Sequence, residues 1–331
     1  MGTHAGGMTS ATTPVSRTWV LRRRICIATI LVCLPYTLLK VAWLSGWSVG
    51  ASTEGFIDTT RVANGVTAGL DLAAIVLAIA FVAGWGRRIP AFLMAFPAWI
   101  ATGLLAPVAM GFLIGTPLQL ATGGGNPFTG DEGLSPWVFG IVYGGFVLQA
   151  ALLLPGFVLH ARERWPVVTG GGLAAGGAGA TQVLQLVLGW FLIVAAVAFA
   201  GLQLSWAIQG GGSHPDPNTP TRTMFAGAAL AALAAAVATG GLLRGGSLTR
   251  MRLVLIWLGS GITFTNVLNE SLRNVATEAG GWGASSASAG EKTLFLFILL
   301  GTLGGAIGGA MRLVEEERGS TDVARRVTLS S

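Results

Sequence analysis

The chain has 331 residues, of which 52% are apolar and only 10% charged, and its mean hydropathy is +0.68. Soluble domains carry about 25% charged residues, so an ordinary soluble enzyme is excluded. Fifty glycines without a Gly-X-Y period exclude a collagen-like fibre, and the formal charge of +6 comes without the aromatic-interleaved basic patch of a nucleic-acid binder.

Apolar runs of about 20 residues are long enough to cross a bilayer as helices. Eight such runs occur, at residues 25–47, 62–85, 89–115, 137–160, 183–208, 224–243, 253–270 and 293–313. The predicted fold class is therefore all-α, a polytopic transmembrane helical bundle surrounded by lipid. The first run follows Arg22, Arg23 and Arg24, and Val49-Gly50-Ala51 supplies small residues like those of a signal-peptide cleavage site. Pro35 and Lys40 interrupt it, however, and it continues to Trp47, longer than a signal h-region. Cys26 and Cys33 lie seven residues apart on this helix, about 10 Å, too far for a disulfide.

The second run carries Asn64 and Asp71, the fourth Gln149, the fifth Gln185 and Gln203. Alanine dominates the sixth, while Asn266, Asn269 and Glu270 crowd the end of the seventh. The eighth holds Gly301, Gly305 and Gly309, small residues at a spacing that allows close helix–helix approach. That stripe is expected to serve packing inside the chain or, alternatively, a homodimer or a membrane partner. The segments read as a basic tail (1–24), a first four-span half (25–165), a Gly-rich linker (166–182), a second four-span half (183–313) and a second tail (314–331).

An even number of spans puts both termini on one side, and basic residues identify it. Fifteen arginines, including Arg87, Arg162, Arg164, Arg250 and Arg312, fall on the side of the termini, against Arg61, Arg222, Arg273 and Lys292 on the other. The termini are expected in the cytoplasm of a bacterial cell, and the basic residues face anionic lipid there.

The two halves echo one another. Tyr36, Leu39, Lys40 and Trp43 lie over Phe199, Leu202, Gln203 and Trp206; Ala68, Gly69 and Asp71 over Ala226, Gly227 and Ala229; Trp99 and Gly103 over Trp257 and Gly261. A repeat of four spans preserves orientation, so the halves are expected as parallel copies related by an axis along the membrane normal. At Pro35-Tyr36-x-x-Leu39-Lys40-x-x-Trp43 the chain resembles uncharacterised multi-pass membrane proteins of Gly/Ala-rich actinobacterial proteomes. That resemblance implies no established activity, and the second half departs from it where Gln203 stands in place of the lysine.

Lys40 and Asp71 are the charged groups within spans, where a charge is costly and needs a partner. Counted from Trp47 and Val62, they fall about 10 and 13 Å below the outer surface, similar depths in one hairpin. Three roles stay open: an ion-responsive pair, a structural staple, or a lysine reaching out to water. With Gln203 and Asn266 in the same outer half, the four residues form a candidate intramembrane polar site.

Enzyme motifs are scarce. His4, His160 and His214 are scattered, and the chain has neither a phosphate-binding loop nor a nucleophile elbow. No catalytic residue, metal or cofactor is expected. The two leading functions are a small-solute or ion permease and a non-transporting scaffold or regulatory subunit; a lipid-modifying membrane enzyme is the third.

Overall fold

The computed structural model describes residues 17–53, 55, 57, 60–127, 133–170, 181–211, 216–278 and 287–330. Among the described residues, eight helices are long and apolar enough to span a membrane: α1 Arg17–Leu44, α2 Arg61–Val82, α3 Ala91–Ala121, α4 Pro136–Arg164, α5 Gln182–Gln209, α6 Thr219–Leu243, α7 Arg250–Glu278 and α8 Ala289–Ser330. The chain is an integral multi-pass membrane protein of all-α architecture. Its outward surface explains why: Leu38, Val62, Phe92, Val183, Ile208 and Val237 are all exposed, a rim suited to acyl chains, whereas Lys40, Asp71, Gln149 and Gln203 are buried inside the bundle.

The helices depart from the predicted runs mainly at their ends. α1 stops at Leu44, not Trp47, because Gly46 adopts φ 89 and closes a Schellman turn, with Gly46 N–H donating to Trp43 and Trp47 N–H to Ala42. α3 continues through a π-helical turn at Gly111–Gly115 to Ala121. α7 runs past Asn266, Asn269 and Glu270 to Glu278, and α8 extends to Ser330. The acids Glu54, Asp58, Asp131 and Glu132 lie outside the described residues, as does most of the Gly-rich linker beyond a short helix Pro166–Gly170.

Among the first four spans, α1 packs on α2 and α4, and α3 on α4; among the last four, α5 packs on α6 and α8, and α6 on α7. The first-half core gathers Cys26, Cys33, Phe81, Met94 and Leu153, and a second group nearer the Leu44 end of α1 gathers Tyr36, Leu39, Trp43 and Val138. The second-half core is built from Ala195, Phe199, Ala229, Ala232, Ile262 and Ile298. Alanine-rich α6 lets α5 and α7 approach closely. The halves meet where α7 crosses α3 and where α6 lies along the π turn of α3.

Glycine spacing on α8 serves contacts within the chain. A Cβ at Gly301 would meet Ala195 at 2.8 Å, and one at Gly305 would meet Leu192 at 2.6 Å, both on α5. Gly309 has open space around it. The glycine stripe, expected to serve packing inside the chain or alternatively a dimer or partner contact, is thus covered by α5 of the same molecule at Gly301 and Gly305. Outside the helices, the loops that follow α1 and α3 are tied by an antiparallel bridge between Ala51 and Leu134, with Ser52 N–H donating to Gly133 and Ser135 N–H to Gly50.

Candidate functional site

Lys40 sits four residues before the end of α1, about 6 Å below it, and Asn64 sits three residues into α2, about 4.5 Å below its start. The two therefore share a level. The Lys40 ammonium donates to Asn64 Oδ1 at 2.7 Å, and Asn64 Nδ2 donates to Thr60 Oγ1 at 3.2 Å. The ammonium also lies 4.6 Å from the centre of the Tyr36 ring and 4.8 Å from that of Trp43, positions one turn either side of it on α1, which cradle a cation against two aromatic faces. Trp43 is held in place by donating its indole N–H to Val49 O at 2.8 Å. Tyr36 is braced edge-on against Phe146 of α4.

Asp71 does not bond Lys40. It lies ten residues into α2, about 15 Å from that helix's start, two turns deeper than Asn64. The expected Lys40–Asp71 contact fails on this register: depth was counted from Trp47 and Val62, whereas the helices end at Leu44 and begin at Arg61. Opposite Asp71 stand Cys33 of α1 and Gln149 of α4, whose amide donates to Cys33 Sγ at 3.3 Å and also faces the carboxylate. Asp71 Oδ2 is buried with no hydrogen-bond partner.

Gln203, the second-half counterpart of Lys40, is 1% exposed and its Oε1 has no hydrogen-bond partner. Its helix packs on α6 and α8, in a core separate from the one holding Lys40 and Asp71. Asn266 is half-buried on α7 and its side chain donates to Ile262 O of its own helix at 2.9 Å. Of the four predicted polar residues, Lys40 and Asp71 lie among the first four spans at different depths, and Gln203 and Asn266 among the last four.

A second polar cluster, not anticipated from sequence, closes the opposite end of the first half. Arg22, 2% exposed on the second turn of α1, donates to Glu163 Oε2 of α4 at 2.6 Å. One turn earlier on α4, buried His160 places Nδ1 3.2 Å from Phe81 O, while Arg164 reaches the carbonyls of Gly86 and Ile89. These residues staple α4 to α1 and to the turn between α2 and α3. From its place beside the first apolar run, Arg22 reads only as a side-of-membrane charge. The helix-face spacing of Arg22, Cys26 and Thr29, at i, i+4 and i+7, is the signal that marks it as inward-facing.

Among the described residues no three His, Cys, Asp or Glu side chains converge as a metal site. No protein-family model, curated protein or solved structure matches the chain.

Proposed function

We propose that this protein is a non-transporting membrane component, a scaffold or regulatory subunit, built from two parallel four-span units with both termini in the cytoplasm. One observation carries the reading: the Lys40 ammonium is fully engaged by Asn64, Tyr36 and Trp43 of its own hairpin, the arrangement of a staple. A permease of duplicated build needs a polar site at the interface of its halves. Here Gln203 is buried in the second-half core and Asn266 bonds its own helix. Orientation rests on the bias of arginines toward the side of the termini.

The competing reading, a small-solute or ion permease, is favoured by the Asp71 carboxylate, which is 4% exposed and has Oδ2 without a partner. An intramembrane carboxylate of this kind marks an ion or proton path in many membrane proteins. Purified protein in liposomes loaded with a pH-sensitive dye separates the two. Under an imposed proton, sodium or potassium gradient, the scaffold reading expects leakage equal to that of liposomes carrying the Lys40→Met/Asp71→Leu variant. A flux lost in that variant, with the protein still folded and inserted, would establish transport instead.

A further inference from the structure

The crossing of α3 and α7 is reciprocal. Trp99 of α3 donates its indole N–H to Ser260 Oγ of α7 at 3.1 Å, and Trp257 of α7 donates its own to Thr102 Oγ1 of α3 at 3.2 Å. Each accepting hydroxyl in turn donates to the carbonyl four residues back on its own helix: Ser260 to Ile256 at 2.5 Å and Thr102 to Ala98 at 2.8 Å. Trp99 and Trp257, Thr102 and Ser260, Ala98 and Ile256 are all related by one shift of 158 residues. The same shift relates the glycines that let the helices touch. Their contacts are not exchanged by that shift, however: a Cβ at Gly103 would run into the Gly261 carbonyl, whereas a Cβ at Gly261 would come 3.1 Å from the Trp99 carbonyl oxygen.

A contact in which residue i meets j and j meets i is isologous, the form made by two identical surfaces about a two-fold axis. Four spans separate α3 from α7, so the helices run in the same sense, and an axis along the membrane normal exchanges them. The contact of α6 with the π turn of α3, through Met224 against Gly111 and Pro220 against Gly115, has no reciprocal of similar extent between α2 and α7. The two-fold relation is therefore a property of the α3–α7 surface itself. We infer that this surface is a docking face on which one four-span unit takes a second copy of the same kind of unit as its partner, and that the chain is such a dimer joined by its linker. The inference rests on the reading of the chain as two four-span units.

The test uses the full chain carrying a protease site inserted between residues 170 and 181, purified in mild detergent and then cut. The two fragments should remain associated on a sizing column. Trp99→Phe and Trp257→Phe each remove one indole donor while keeping a ring, and each should weaken association of the cut fragments by about three- to ten-fold, the effect of one hydrogen bond. The two effects should be equal within about a factor of three. Thr102→Ser combined with Ser260→Thr, which exchanges the hydroxyls, should leave association unchanged. Gly103→Leu should separate the fragments; where that variant does not fold, the Trp and hydroxyl variants decide. Fragments that stay together regardless of Trp99 and Trp257, or that respond to only one of them, would overturn the inference alone. Fragments that aggregate once separated would overturn the four-span-unit reading, and the inference with it.

Discussion

Removing Asn64 should destabilise the protein more than removing Lys40. In Asn64→Leu the ammonium loses the oxygen 2.7 Å away and keeps only the faces of Tyr36 and Trp43. Leaving a buried charge without its hydrogen-bond partner costs about 3 to 5 kcal/mol. Lys40 lies only about 6 Å from the end of α1, so partial escape of its long stem toward water places the expected loss at the lower end, about 3 kcal/mol. Lys40→Met removes the charge with little change of shape and strands the Asn64 oxygen, for about 1 to 3 kcal/mol. With both replaced nothing polar is stranded, so the double variant should lose clearly less than the two single losses combined, a coupling of about 2 kcal/mol or more. Reversible unfolding in mixed detergent micelles, followed by tryptophan fluorescence, measures all four proteins. The parallel cycle of Lys40→Met with Asp71→Leu should show a coupling below about 1 kcal/mol, because the two groups do not touch. A Lys40–Asp71 coupling larger than that of Lys40 with Asn64 would refute this account of the hairpin.

At the other end of the first half, Glu163→Leu should lower stability by about 3 kcal/mol, since it strands the Arg22 guanidinium, 2% exposed, whereas Arg22→Met should cost less because the carboxylate it leaves, on a Glu163 side chain 37% exposed, is partly solvated. Thermal unfolding of the two variants in detergent gives the order. Cys26 and Cys33 are buried, so a maleimide should label neither in the folded protein and both after unfolding in dodecyl sulfate; labelling of the native state would contradict the packing of α1. On α8, Gly301→Ile and Gly305→Ile should drive a side chain into α5 and cost about 1 to 3 kcal/mol each, while Gly309→Ile should be neutral. Cysteines placed near Arg87, Arg162 and Arg250 in a chain lacking Cys26 and Cys33 should resist an impermeant reagent added to intact cells, and labelling from outside would reverse the proposed orientation.

The eight spans were legible because hydropathy over about 20 residues averages away local detail; helix ends were not, because they depend on single residues. Gly46 is the instructive case. Read as the glycine after a helix, it ends α1 at Leu44 and brings Lys40 level with Asn64, and the pairing with Asp71 disappears. The apolar run gave no such warning, since Trp47 continues it beyond the turn. Arg22 was misjudged for a related reason. Topology arguments treat an arginine next to a span as solvated, whereas the helix begins at Arg17 and its second turn already faces α4.

The proposed duplication illustrates where sequence similarity ends and geometry begins. Trp99 with Gly103 over Trp257 with Gly261 is a thin match in a chain so rich in alanine and glycine, because interfacial tryptophans and small residues recur in any membrane helix. Thr102 and Ser260 add little to that match by identity. Their shared chemistry, a small hydroxyl one turn beyond a tryptophan, acquires meaning only when each indole is found on the other helix's hydroxyl. By contrast, the residues that first drew attention, Lys40 and Gln203, share position but not environment: one is held by an amide and two aromatic rings, the other is enclosed by an apolar core. Under duplication, the helix pair that joins the halves must keep complementary contacts on both sides, while a buried site within one half is free to change in the other. The α3–α7 crossing behaves as the constrained surface, and the Lys40 and Gln203 positions behave as the free ones. That difference argues for contact between the units, rather than a shared polar path, as the feature that holds this architecture together.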